Sequence, residues 1–482
     1  MNKIKFGTDG WRDIIADNFN FENLGIVVNS IARHIIEKKE NKNGIFIGYD
    51  NRFLSEEFAS FSAKILSAYG FKVFLSDKSI PTPVTAFNVL DMKLDGALMI
   101  TASHNPSKYN GIKFIPDYGG PATDLITSDI EENLRFFLDN RDALRSSSES
   151  IDENIVILTE FPTYYEHIRK LIDFASIKKA GLKIAADMLY GAGINVFPKI
   201  LDEISGNETR VLNNKRDALF GGKLPDPSEK NLVELKKIIL EKRFDIGVAL
   251  DGDADRFGVI DSAGVFLNPN KVISLIFYYL CSVKGYKGKD LKAVRTVATT
   301  HLIDEICKKF DIGLIETPVG FKYIAAEMIK NDVLIGGEES GGLSIKGHIP
   351  EKDGIAANLL LIEIQSYLKT HLDNISLSEY LNNINKELGY FFNERMDMEV
   401  PREKMVGIID SFKKMKGSSV ENIKISNILT KDGVKLLLEN DAWALLRLSG
   451  TEPLIRCYIE SRDESFFNVF KQYMIKAIKN LL

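Results

Sequence analysis

The chain has 482 residues, 45% of them hydrophobic, and a formal net charge of -5. That length suffices for three or four domains with separate cores, and the mild acidity offers no basic field for nucleic acid, so an acidic ligand must be held by local lysine and arginine clusters. No apolar run is long enough for a membrane span, and the opening Met1-Asn-Lys-Ile-Lys-Phe6 lacks the apolar core of a secretory signal, which predicts a cytoplasmic protein.

Gly44-Ile-Phe-Ile-Gly-Tyr-Asp50 reads as a strand, and the amphipathic stretches after it alternate with further strands as βαβ units do, which predicts parallel sheets with helices on both faces. The apolar segment 97–100 ends in Thr101-Ala102-Ser103-His104-Asn105-Pro106. Ser, Asn and Pro are ordinary turn residues, but a serine displayed at the end of an apolar strand is also a candidate nucleophile. Arg145-Ser-Ser-Ser-Glu-Ser150, followed by Asp152 and Glu153, is of low complexity and predicts an exposed loop near the first domain boundary.

A second unit opens at Gly181-Leu-Lys-Ile-Ala-Ala-Asp187 and closes after another apolar strand, 245–250, with its loop Asp251-Gly-Asp253-Ala-Asp255-Arg256. In an extended segment residues two apart point to the same side. The three carboxylates therefore converge and call for a cation. So small a set of hard oxygen ligands suits Mg²⁺, and an EF-hand is disfavoured because Ser262 stands where its bidentate Glu belongs. A third unit begins near Asn268, repeats the plan with Asp332-Val-Leu-Ile335 leading into Gly336-Gly337-Glu338-Glu339-Ser340-Gly341-Gly342, and ends with the helical pattern 355–368. Three copies of one α/β unit each deliver a loop at the carboxyl end of a strand, where open parallel sheets bind ligands: one loop carries a hydroxyl, one a metal site and one carboxylates that can accept hydrogen bonds from a polyol.

The last hundred residues lack this pattern, which predicts a smaller, different α+β unit. Within them Arg447-Leu-Ser449-Gly450-Thr451-Glu452-Pro453-Leu-Ile-Arg456 offers two guanidinium groups, two hydroxyls and a flexible backbone, a plausible phosphate cradle; a helix start capped by Ser449 or Thr451 is expected there too. Cys281, Cys307 and Cys457 are far apart and show no metal-site spacing. Of the six histidines only His104 and His348 lie in polar loops near the expected site; His34, His167, His301 and His371 read as surface or packing residues.

Together with Phe6-Gly-Thr-Asp-Gly-Trp-Arg12, these stretches resemble the α-D-phosphohexomutases, and within them the phosphoglucomutase/phosphomannomutase group; the likeness runs from residue 6 to Arg456. The resemblance implies three similar α/β/α domains with mixed, mostly parallel sheets and a distinct smaller α+β C-terminal domain around a central cleft. Read onto this chain the domains are 1–155 with the phosphoserine loop, 156–262 with the metal loop, 263–380 with the sugar loop and 381–482 with the phosphate loop. The implied activity is intramolecular phosphoryl transfer between hexose 1-phosphate and hexose 6-phosphate, through phosphoserine at Ser103 and a hexose 1,6-bisphosphate that reorients in the cleft.

The resemblance also implies roles. One Mg²⁺ per chain is held by Asp251, Asp253, Asp255 and the phosphorylated Ser103, with His104 and Arg256 beside the phosphoryl group. Lys113 does the acid/base work and Arg12 lies close to the phosphoserine. Glu338 and Ser340 take the sugar's 3- and 4-hydroxyls, Thr317, Gly320 and Lys322 form a further substrate loop, and Arg447, Ser449, Gly450, Thr451 and Arg456 hold the phosphate that is not reacting. Glucose 1,6-bisphosphate is the implied activator, hexose phosphates are the partners, without nucleic acid or membrane, and the implied assembly is a monomer or homodimer. The sugar loop has Gly342 where many phosphomannomutases have histidine, and its Glu-Glu-Ser form is closer to phosphoglucomutases, so glucose phosphate is the expected substrate; His348 is a candidate for the missing imidazole. The alternatives are a phosphomannomutase or dual-specificity mutase, a Mg²⁺-dependent sugar phosphatase, and a catalytically silent sugar-phosphate-binding protein.

Overall fold

The computed structural model describes residues 4–7, 10–38, 43–449 and 453–482. They divide into two compact units, Met1–Ile276 with Phe321–Tyr380, and Phe277–Gly320 with Leu381–Leu482. In the first unit β1 (Trp11–Ile14), β2 (Ile45–Tyr49), β3 (Val73–Ser76), β4 (Gly96–Ile100), β5 (Tyr109–Pro116) and β6 (Ile155–Leu158) form one sheet in the order β1-β5-β4-β2-β3-β6. β4, β2, β3 and β6 run parallel, whereas β5 returns antiparallel on β4 and β1 lies antiparallel on β5. Every residue of β2 and β4 is buried, as continuous apolar strands covered on both faces must be. Helix Phe21–Lys38 lays Ile26, Val27 and Ile31 into the core shared with Ile45, Ile47 and Ile100.

A second sheet holds β7 (Ile184–Asp187), β8 (Thr209–Leu212), β9 (Ile246–Leu250), β10 (Phe257–Asp261) and β11 (Phe266–Leu267) in the order β11-β10-β9-β7-β8. Its parallel part is β9, β7 and β8, and β10 folds back antiparallel on β9. The same unit contains the antiparallel pair Val333–Glu338 and Gly342–Ile345, then the helix Gly354–His371, whose first N–H groups, from Ile355 and Ala356, are capped by the Asp353 carboxylate. The repeat seen in the sequence is therefore a hairpin: a buried strand, a polar loop, and a return strand paired with it.

The second unit joins the parallel pair Lys292–Thr296 and Gly313–Thr317 with an antiparallel six-stranded sheet. Helices Arg402–Phe412 and Glu464–Lys479 cover that sheet, with Ile408, Phe412, Phe470 and Met474 packed on Val434, Leu446, Ile455 and Ile459. This is the distinct α+β C-terminal part. One expectation fails here. Trp443–Leu448 and Leu454–Ser461 are strands paired antiparallel, with Arg447 opposite Arg456, and the Ser449 N–H donates to the Leu454 carbonyl at 3.0 Å. Ser449 thus leads into a strand-to-strand link instead of capping a helix, because the apolar residues on both sides are buried on both faces of a sheet, Ala444, Leu446, Ile455 and Cys457 in one cluster and Trp443, Leu445 and Tyr458 in another. Thr451, with Gly450, lies outside the described residues. All three cysteines are free and buried, and no helix among the described residues is long and apolar enough to cross a membrane.

Candidate active site

Ser103 lies just past the end of β4, buried, with a φ of 50° that non-glycine residues seldom adopt. Its N–H donates to Thr101 Oγ1 at 2.8 Å, and Thr101 Oγ1 donates in turn to Asp50 Oδ2 at 2.6 Å. The Ser103 Oγ donates to Asp251 Oδ2 at 3.0 Å, which joins the serine loop to the aspartate loop that follows β9. His104 Nδ1 is 3.3 Å from the same Oγ. Arg256, burial and Arg12 together hold that imidazole well below its usual value, so it is neutral at physiological pH. Arg12, on β1, donates to Asn105 Oδ1 at 3.0 Å within the serine loop.

The three aspartates are buried, and their ligand atoms lie within 4.8 Å of one another. Lys113, on β5 and 2% exposed, sets its ammonium 2.9 Å from Asp253 Oδ2 and 3.0 Å from Asp255 Oδ2. Lys352 adds a second ammonium 3.1 Å from Asp255 Oδ2, and Thr82 Oγ1 donates to Asp253 Oδ2 at 2.7 Å. Asp253 Oδ1 and Asp255 Oδ1 are buried and accept no hydrogen bond from the described residues. Burial and the adjoining Asp253 and Asp255 push the Asp251 carboxyl well above its usual value. At Asp253 the same burial is outweighed by Lys113, Thr82 and Lys352, which hold it ionised. Two buried carboxylate oxygens that accept no hydrogen bond, in a crowded aspartate trio, are what a hard divalent cation fits.

The sugar-loop residues adjoin this group. Ser340 Oγ donates to Glu338 Oε1 at 2.6 Å, and a Cβ on Gly341 would lie 3.7 Å from Arg256 Cβ, so this loop abuts the aspartate loop. Burial, which would lower the Arg256 pKa, is outweighed by Asp255, Asp251 and Glu338, which raise it and keep its guanidinium charged. Lys322 is buried, and its ammonium is 2.5 Å from Asp124 Oδ1, while Tyr323 donates to Asp124 Oδ2 at 2.9 Å. His348 does not stand in the sugar loop's place. Its imidazole is enclosed, with Nε2 2.8 Å from Asp353 Oδ2 and Nδ1 3.0 Å from His167 Nε2. In the second unit Asp432 accepts the Val319 N–H at 2.8 Å and pairs with Arg447 Nε at 3.0 Å, tying the 317–320 loop to the arginine strand. Thr317 is buried there, and Gly320 has a φ of 132°.

Four domain descriptions of one family match the chain in order: phosphoglucomutase/phosphomannomutase alpha/beta/alpha domain I over residues 3–136, domain II over 162–264, domain III over 268–386 and the C-terminal domain over 398–476. The chain belongs to the phosphoglucomutase/phosphomannomutase family. A phosphoglucomutase/phosphomannomutase from Thermococcus kodakarensis is 30% identical, over 100% of both chains. A phosphoglucosamine/phosphogalactosamine mutase from Sulfurisphaera tokodaii is also 30% identical, over 99% of this chain and 100% of that one. The crystal structure of a provisionally assigned phosphomannomutase from Thermus thermophilus superposes with a TM-score of 0.84 at 30% identity, covering 99% of each chain. The protein is a phosphohexomutase, an isomerase.

Several residues at the centre of this phosphohexomutase escape a reading by motif. Arg52 and Asp50 hold the serine loop from β2, Thr82 opens the helix Thr82–Asp91 against Asp253, and Lys352 precedes the Asp353 cap. A signal existed for all of them but Thr82. Asp50-Asn51-Arg52 follows an apolar strand in the same way as the serine and aspartate loops, and Lys352 sits beside an Asp-Gly helix start.

Proposed function

We propose that this phosphohexomutase interconverts glucose 1-phosphate and glucose 6-phosphate by way of phosphoserine at Ser103. The observation that carries the reading is the Ser103 hydroxyl, 3.0 Å from Asp251 in a buried aspartate trio with two oxygens that accept no hydrogen bond. In the forward half the bond between Ser103 Oγ and phosphorus breaks as a sugar hydroxyl oxygen bonds to phosphorus; Ser103 Oγ keeps the electron pair of the broken bond, and the hydroxyl proton goes to Lys113, which first releases one proton from the ammonium paired with Asp253 and Asp255. In the return half Lys113 gives a proton back while Ser103 Oγ takes the other phosphate of the bisphosphate. Arg256 and Arg12 are the guanidinium groups placed to bear on the phosphoryl oxygens, and neutral His104 can donate one hydrogen bond to them. Asp251, Asp253 and Asp255 are the residues that would hold Mg²⁺, which would offset the charge of the transferring phosphoryl group.

Glu338 and Ser340 present the acceptors proposed for the sugar's 3- and 4-hydroxyls. Lys322, Thr317, Gly320, Arg447, Ser449 and Arg456, with Gly450 and Thr451, make up the proposed grip on the rest of the substrate, and glucose 1,6-bisphosphate is the proposed activator. A second reading, glucosamine phosphate as substrate, is favoured by the 30% identical Sulfurisphaera tokodaii relative. The test is an assay with Mg²⁺ and a trace of glucose 1,6-bisphosphate, offering glucose, mannose and glucosamine 1-phosphates in turn while 6-phosphate product and free phosphate are both followed. Fastest isomerisation of glucose 1-phosphate without free phosphate, abolished in Ser103→Ala, is expected. A preference for glucosamine 1-phosphate would establish the second reading, and free phosphate as the main product would contradict both.

A further inference from the structure

Arg52 has no exposed surface, and all of its nitrogens are engaged. Nε donates to Asp50 Oδ2 at 3.0 Å; Nη1 donates to the carbonyls of Pro106 at 2.9 Å and Tyr109 at 3.0 Å; Nη2 donates to those of Ser103 at 2.5 Å and Asn105 at 2.8 Å. One guanidinium thus gathers four carbonyl oxygens of the loop that carries the nucleophile. The Ser103 carbonyl is also confined from the other side, since a Cβ at Gly252 would stand 2.5 Å from it. The Ser103 N–H is fixed through Thr101 to Asp50, the same carboxylate that Arg52 grips.

The neighbouring Asn51 reaches the metal loop. Its amide donates to the carbonyls of Tyr190 at 2.8 Å and Gly191 at 2.9 Å, and the next residue, Ala192, donates its N–H to the Gly252 carbonyl at 2.9 Å. Asp50-Asn51-Arg52 therefore fixes both the backbone that aims Ser103 and the backbone that lies under the aspartates. A buried charge gripped on every side is weak evidence for stability alone, because an apolar residue of similar volume can do as well; a planar fork is what several carbonyls at fixed angles require.

We infer that Arg52 is a positioning residue that sets the Ser103 Oγ against the aspartate trio, acting through the loop backbone and touching no substrate. The inference rests on the phosphoserine reading. It is tested with Arg52→Lys, which keeps the charge and loses the fork, and with Thr101→Val, which keeps the shape and loses the link from Ser103 to Asp50. Both are compared with the parent for kcat and KM toward glucose 1-phosphate and for the rate of label transfer from ³²P-glucose 1,6-bisphosphate to Ser103, per folded molecule counted by circular dichroism. The expected result for Arg52→Lys is a KM within about twofold of the parent and a kcat and labelling rate lower by about 100-fold, the size expected for a small misplacement of a reacting atom. Folded Arg52→Lys with parental kcat, or with only KM raised, overturns the inference. Where Arg52→Lys fails to fold, Thr101→Val decides by the same split. A parent that neither isomerises nor takes label overturns the phosphoserine reading and the inference with it, an outcome distinguished by the parent's own assay.

Discussion

At the scale of single residues, the geometry around Ser103 leaves little room. The Gly252→Ala methyl would stand 2.5 Å from the Ser103 carbonyl oxygen, so the serine loop must move before that variant can fold. Its turnover should fall by about 100-fold, while its circular dichroism spectrum stays parental; unchanged turnover would show that the approach of the two loops does not matter. Ser103 and the three aspartates were legible because each follows directly on an apolar strand, where a change from apolar to polar residues marks a strand end. Lys113 was harder to read. As a strand lysine it looks solvated, and only the fold reveals that it is 2% exposed between Asp253 and Asp255. Thr82 was not legible at all, since its partner lies 171 residues away; Arg52 left only the sign of a polar run after a strand, and no local pattern records that it grips a carbonyl 51 residues away.

At the scale of elements, two pairings have measurable consequences. Asp124, in the first turn of the helix Asp124–Asp139, holds Lys322, at the start of the helix Phe321–Lys330, so a phosphate taken by Lys322 as proposed would compete with a carboxylate. Because Asp124 is largely exposed and such pairs contribute about 1 kcal/mol at most, Asp124→Asn should lower KM for hexose phosphate by about 2- to 5-fold; a raised KM would show that the pair assists binding. The second pairing joins helix Pro162–Leu171 to helix Gly354–His371 through His167, His348, Asp353 and Tyr164. Burial and the neighbouring His348 lower the His167 imidazole to about 4. The folded protein then binds fewer protons there than the unfolded chain, so this contribution is complete above pH 6.5 and is lost as pH falls from about 6.5 towards 4. Solvent screening of a half-buried ring limits the effect to about 2 kcal/mol. Denaturant midpoints between pH 7 and 4 should fall less steeply in His167→Gln than in the parent; identical slopes would remove His167 from the acid response. Neither pairing was visible in the sequence, where His348 was a candidate for the missing sugar-loop imidazole and His167 read as a surface or packing residue.

At the scale of the whole molecule, the order of the four loops carried the reading. Composition sufficed only to rule out a basic nucleic-acid binder, whereas a serine loop, an aspartate loop, a Glu-Ser loop and an arginine strand in succession matched one family along the chain. The α/β architecture was legible because buried parallel strands are continuous apolar runs with helical patterns between them. The C-terminal sheet was less so. One expected helix start there proved to be a strand-to-strand link, because Trp443–Leu448 and Leu454–Ser461 pair with each other and pack on two clusters. The account stands on a phosphoryl group passing through Ser103. The most direct measurement is to incubate the protein with Mg²⁺ and ³²P-labelled glucose 1,6-bisphosphate, digest it, and locate the label by mass spectrometry. Stable label on Ser103 alone, discharged by added glucose 1-phosphate into bisphosphate, is expected; label on another residue, or none while isomerisation proceeds, would exclude transfer through Ser103.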